Sequence, residues 1–148
     1  ELFGPIEKVK GTTTKMYTNV EDSVSVLGVL KSGVPISIEG SWMKKGYPNL
    51  EIGITIEGSK GVIEATQNKI TIKYKGGGEK KIFPYDVEDT SSFELGGKGY
   101  YAQNKEFLQS VRKGETAMTN WDKTLYVQKV IDAVYHSSEK SKEEYIEG

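Results

Sequence analysis

Few residues here have the chemistry of a catalyst. His136 is the single histidine, and there is no cysteine among the 148 residues. Disulfides, zinc–thiolate sites and thiol nucleophiles are therefore excluded. A metal site would have to be built from carboxylates alone. Those cluster at Glu21-Asp22 and at Asp86, Glu88 and Asp89. General acid/base work needs two carboxyls converging in a cleft. Neighbours along a strand point to opposite faces, so Glu21 and Asp22 are expected as solvated turn charges. His136 falls at the margin of a helical wheel and is expected as a surface residue. No catalytic residue and no metal ligand is assigned.

Gly76-Gly77-Gly78 invites a phosphate-loop reading. Such a loop must open a helix, so that backbone amides and the helix dipole meet the anion. Here Glu79-Lys80-Lys81-Ile82-Phe83 follows and reads as strand. A hairpin turn is the expectation. Trp42, Met43, Tyr47 and Pro48 form an aromatic-bearing loop after a strand. Aromatics at a sheet end either line a binding surface or plug the core. Both readings stay open for Trp42.

The elements that position these residues are strands first and helices last. Val24, Val26, Gly28 and Leu30 alternate along 22–31, Ser32-Gly33 turns, and Val34, Ile36 and Ile38 alternate again over 34–42. That is a hairpin pattern. Strands are also predicted over 5–14, 49–57, 62–66, 70–75 and 80–83. A helix is predicted from Tyr100 to Lys113 with one apolar arc of Tyr100, Tyr101, Phe107, Leu108 and Val111. The second begins after Asn120 or Thr119 as N-cap. Its arc is wider: Trp121, Leu125, Val127, Val130, Ile131, Val134 and Tyr135. An arc that wide needs cover on two sides, expected from the sheet and the first helix. Glu143–Glu147 is predicted as a closing edge strand. The order implies an α+β domain: an open-faced, mostly antiparallel sheet with C-terminal helices packed on one face.

Net charge is −1, which gives no electrostatic reason to expect nucleic acid or an anionic membrane as partner. No apolar run reaches the length of a membrane span. The missing cysteine is compatible with a cytoplasmic protein. The polar face (Ser23, Ser25, Ser37, Glu39, Glu51, Gly53, Thr55, Glu57, Thr71, Lys73) could be wet or could meet a second sheet in a dimer.

Several motifs, in order, carry a family resemblance. They are Phe3-Gly4-Pro5-Ile6 leading to Val9, Glu21-Asp22 with the strand after it and Ser32-Gly33, and Ser41-Trp42. Then come Ile56-Glu57-Gly58-Ser59-Lys60-Gly61-Val62-Ile63, Phe107-Leu108 through Val111-Arg112-Lys113-Gly114, and Val130 through Ser138. Together they resemble the C-terminal domain of Gfo/Idh/MocA-type oxidoreductases over nearly all 148 residues. The resemblance implies a single substrate and oligomerisation domain, residues 1–148, missing its N-terminal Rossmann partner. It implies NAD or NADP in the full-length protein and none bound by this chain. It implies a small-molecule substrate (a sugar, polyol or related alcohol) and a homo-oligomer through the open sheet face. The catalytic lysine motif and Asp/His pair of such enzymes lie upstream and have no counterpart here; His136 does not match. The loop after the Trp42-type position often approaches substrate, which makes Trp42, Lys44 and Tyr47 the candidate substrate residues. The other reading is a stand-alone ligand-binding or association module with no redox role.

Overall fold

The computed structural model describes residues 3–43, 52–66, 69–82, 97–118 and 120–147. Two compact units emerge: 1–45 with 118–148, and 46–117.

The first unit is a four-stranded antiparallel sheet with one helix. Its strands are β1 (Ile6–Thr14), β2 (Ser23–Leu30), β3 (Pro35–Ser41) and β8 (Glu144–Tyr145), in the order β3-β2-β1-β8. The β2–β3 hairpin forms as predicted, with Gly33 at φ 83° in its turn. β8 confirms the closing edge strand: Lys8 faces Tyr145, Val9 faces Glu144, and the Ile146 amide donates to Glu7 O. The helix α2 (Trp121–Lys140) is capped by Asn120, whose side chain accepts from the Lys123 amide at 3.1 Å. It ends at Ser141 in the left-handed region.

The core is Val9, Val26, Ala133, Val134 and Ile146, with Ile6, Val24, Tyr126 and Val130 packed against it. On α2 this selects Tyr126, Val130, Ala133, Val134 and Ser137, a stripe at helical spacing. Trp121, Leu125, Val127, Ile131 and Tyr135 are exposed. Within this unit the sheet covers one flank of the wide arc. The physical reason lies in β1. Gly11 has no Cβ, and one placed there would stand 2.7 Å from Val134 Cγ1 and 2.9 Å from Val134 O. The helix sits so close to the strand that a narrow stripe fills the seam.

That close approach also solves an edge problem. β8 is only two residues long, so the outer amides of β1 run past it. Hydroxyls of α2 take them: Ile6 N–H donates to Tyr126 Oη, Gly11 N–H to Ser137 Oγ, and Thr13 N–H to Ser138 Oγ. An edge satisfied this way offers no template to another strand.

The second unit holds β4 (Gly53–Gly58), β5 (Gly61–Thr66), β6 (Ile70–Tyr74) and β7 (Glu79–Ile82), paired in chain order as an antiparallel meander. It also holds α1 (Gly97–Lys113). The α+β class is as predicted, but the described strands pair into two four-stranded sheets, so the predicted polar face is shared between them. The Gly76–Gly78 turn is a hairpin turn as expected: Gly77 and Gly78 have φ of 93° and 87°, and Tyr74 N–H donates to Gly78 O. The predicted apolar arc of α1 (Tyr100, Tyr101, Phe107, Leu108, Val111) is exposed. No described helix is long and apolar enough to cross a membrane.

Candidate binding surface at the end of the first sheet

The connection from β1 to β2, residues 15–22, and the end of β3 meet at Asp22. This residue lies just before β2, where strand alternation does not yet apply. It is only 2 % exposed, which corrects the reading of Asp22 as a solvated turn charge. Its Oδ2 accepts from the Met16 amide at 2.7 Å and the Tyr17 amide at 2.8 Å. Its own amide donates to Thr14 O, and its carbonyl accepts from the Trp42 amide at 3.0 Å. One residue thus fixes both the β1–β2 connection and the exit of β3.

Around this anchor the side chains face water. Met16, Tyr17, Val20, Trp42 and Met43 are all exposed, Trp42 at 89 %. Trp42 is not part of the core of this unit. Ser41 supports the same corner: its hydroxyl pairs with Ser23 Oγ at 2.8 Å and accepts from the Met43 amide. Lys44 and Tyr47, the other two candidate substrate residues, lie outside the described residues, as do Asp86, Glu88 and Asp89.

The amides of Tyr17 and then Met16 stabilise the ionised form of Asp22 and hold its carboxyl below its ordinary 3.8. Ser23 also lies close enough to help, but its resolved hydrogen bond runs to Ser41. Asp22 Oδ1 has no hydrogen-bond partner. Next to it, Glu21 accepts from Tyr135 Oη. That bond lowers Glu21 from its ordinary 4.5 and raises Tyr135 from 10.0.

The signs give a pH prediction. Both carboxyls are depressed in the fold, so their stabilisation is complete above the unfolded values. It is lost as pH falls through 4.5 and 3.8 toward the folded values. Tyr135 is raised, so its contribution holds below pH 10 and is lost above it. Thermal midpoints across pH are expected to show a plateau with both shoulders. Asp22→Asn should weaken the acid shoulder and Tyr135→Phe the alkaline one; shoulders unchanged in both variants would refute the assignment.

Among the described residues the corner offers exposed aromatic and apolar side chains around one buried carboxylate. Among the described residues no group of three metal-ligating side chains occurs. His136 is exposed on α2, near Glu144. The second unit adds a shallow hollow of about 300 Å³ lined by Ile56, Ile63, Ile72 and Tyr74 among others; Lys73, also in its wall, pairs with Glu64 at 2.6 Å. Sequence reasoning missed Asp22, Tyr126 and the Ser137–Ser138 pair. The one available signal was an acidic residue at the foot of a strand, following a loop with exposed amides.

Comparison with known proteins decides the family. Residues 1–147 match the model for the C-terminal alpha/beta domain of the Gfo/Idh/MocA oxidoreductase family. The chain belongs to this family. Its fold recurs in an oxidoreductase domain protein from Kribbella flavida, at a TM-score of 0.80 and 20% identity, covering 97% of this chain and 45% of that one. A levoglucosan dehydrogenase in complex with NADH and L-sorbose gives 0.80 at 14% identity, with 97% and 45% covered. An NAD binding oxidoreductase from Klebsiella pneumoniae gives 0.80 at 17%, with 97% and 46% covered. At these identities the likeness establishes the fold. No curated protein sequence matches. This Gfo/Idh/MocA C-terminal domain spans a little under half the length of these structures.

Proposed function

We propose that this domain is the C-terminal portion of an NAD(P)-dependent oxidoreductase acting on a sugar, polyol or related alcohol in the cytoplasm. The carrying observation is the family match over 1–147, joined to coverage of only 45% of the similar chains. Similar structures include a levoglucosan dehydrogenase solved with NADH and an oxidoreductase solved with NAD+. In this reading the dinucleotide and the hydride transfer belong to an N-terminal Rossmann domain. Gly76–Gly78 joins two strands and does not open a helix, so it is no dinucleotide cradle. The domain supplies a wall of the substrate site through Trp42, Lys44 and Tyr47. It supplies an oligomer contact through the open sheet faces, where Thr12, Ser25 and Glu39 share one row of the first sheet. The exposed large side chains of α1 and α2 are more apolar surface than a free-standing domain ordinarily leaves to water.

Titration calorimetry with NADH tests the division of labour. The 148-residue chain alone is expected to give no binding heat and no oxidation of sugars or polyols. The protein carrying its upstream portion is expected to bind NADH. Tight NADH binding by the isolated chain would place the cofactor here and end this reading.

A further inference from the structure

Three consecutive residues near the start of the first unit are held from three directions. Pro5 O accepts from the Lys31 amide at 2.9 Å, just past β2. Ile6 is held by a side chain of α2: its N–H donates to Tyr126 Oη at 2.6 Å, and the same hydroxyl donates to Ile6 O at 3.3 Å. Glu7 O accepts from the Ile146 amide at 2.9 Å, just past β8. From Pro5 onward the chain is therefore fixed. Phe3 and Gly4, before it, are exposed. Gly4 has φ of 81°, a conformation that side-chain-bearing residues rarely adopt. A Cβ placed there would meet nothing within 4 Å. Crowding does not call for glycine at this position; the direction of the backbone does. Pro5 stiffens the bend, since its ring locks its own φ and restricts the residue before it. Gly4-Pro5 is thus a bend of set angle on a fixed shoulder.

We infer that Gly4 and Tyr126 are positioning residues for the upstream domain of the full-length protein: Gly4 sets the angle at which that domain joins this one, and Tyr126 keeps the shoulder of the joint from moving. This rests on the reading of the chain as the C-terminal part of a longer oxidoreductase. Polypeptide arriving from upstream passes through Gly4 before it reaches the first fixed residue. Domains of one chain move relative to each other unless their contact is large and apolar, so a stiff joint limits that motion directly. In the proposed reaction the joint has a chemical consequence. The dinucleotide lies upstream and one wall of the substrate site lies here, so the distance between hydride donor and acceptor depends on the angle between them. Misplacement by about 1 Å can cost about a hundredfold in rate. Neither Gly4 nor Tyr126 touches substrate or cofactor in this account.

The test uses the full-length protein with one spin label at Glu139→Cys, an exposed position on α2, and one at an exposed site of the upstream portion. Double electron–electron resonance reads the distance between them. Titration calorimetry reads NADH binding, and kinetics with a panel of sugars and polyols reads kcat and KM separately. A single narrow distance is expected for the wild type. Gly4→Ala is expected to shift it, because a residue with a Cβ turns φ to the negative side. Tyr126→Phe is expected to broaden it without moving its centre. Both variants are expected to lower kcat, by about tenfold for Gly4→Ala and by less for Tyr126→Phe, with NADH affinity unchanged. Amide exchange across β1 separates joint from fold: Gly4→Ala is expected to leave it at the wild-type rate.

An unchanged distance in Gly4→Ala overturns the inference, as does a shifted distance with wild-type kcat. Faster exchange across β1 in Gly4→Ala would assign the glycine to the fold of this unit and overturn it too. A wild-type distribution in Tyr126→Phe does the same for the clasp. Failure of the underlying reading shows separately. A full-length protein that binds no NADH ends the redox reading, while the shift or constancy of the distance still decides the joint.

Discussion

Gly61→Ala is expected to be among the most damaging single-methyl substitutions in the second unit. Gly61 opens β5 directly after the Ser59-Lys60 turn, pairs with Gly58 on β4 and Tyr74 on β6, and has φ of 152°. Side-chain-bearing residues rarely adopt that backbone conformation. A Cβ there would lie 2.1 Å from the Lys73 carbonyl oxygen and 3.1 Å from Tyr74 Cα. Both obstacles are backbone, so no rotamer change relieves them. The β5–β6 ladder would have to open at its first rung. Overpacking and a disfavoured φ together amount to about 3–5 kcal/mol, a midpoint lowered by roughly 10 °C or more. Gly58→Ala is the control: its Cβ would meet only Gly61 O at 3.7 Å, an ordinary contact. Circular dichroism melts of the two variants, with amide exchange at Ile63 and Ile72 as the local probe, should separate them clearly. Equal midpoints would refute the steric account. The Gly58-Ser59-Lys60-Gly61 motif is thereby explained in part: its second glycine is demanded by backbone crowding.

The strands were largely legible because alternation reports a half-buried surface directly. Val24, Val26 and Leu30 show it in β2; in β4 Ile56 is half-buried while Ile54 is exposed. Alternation assigns faces but does not say which strands pair, so a single sheet was inferred where the described strands make two. The α2 arc was read from hydrophobicity alone. What decides its buried stripe is the missing Cβ of Gly11, a property of the opposite strand. For the same reason Ser137, fully buried, was invisible as a core residue: its hydroxyl is needed because β8 is too short to cover β1. Asp22 was misread through a rule that is sound inside strands. It lies one residue outside β2, where its carboxylate turns back onto Met16 and Tyr17. Trp42 stood undecided in the sequence because exposure depends on what its neighbours leave open, and only the structure shows it facing water.

The seam between β1 and α2 carries the second large effect. Ser137 Oγ accepts the Gly11 amide at 2.9 Å and donates to the Lys142 carbonyl, so Ser137→Ala leaves the buried Gly11 N–H without that bond. Such a loss costs about 1–3 kcal/mol. Gly11→Ala acts from the other side. Its methyl group would meet Val134 Cγ1 at 2.7 Å and the Val134 carbonyl at 2.9 Å. The side-chain contact can yield; the carbonyl contact cannot yield unless α2 lifts off β1. Lifting the helix stretches the Ser137 and Ser138 bonds at once, and about 2–4 kcal/mol is expected for the combined overpacking and lost bonding. Chemical denaturation of the single and double variants should show strong non-additivity, because both substitutions break the same seam. Adding Val134→Ala to Gly11→Ala is expected to recover only part of the loss, since it removes the Cγ1 clash and leaves the carbonyl in place. Full recovery would mean that the methyl of Val134, and not the approach of the two backbones, sets the distance between helix and strand. Additive losses for Gly11→Ala and Ser137→Ala would mean that the hydroxyl bonds survive a shifted helix, and the edge of β1 would then need another explanation for its closure.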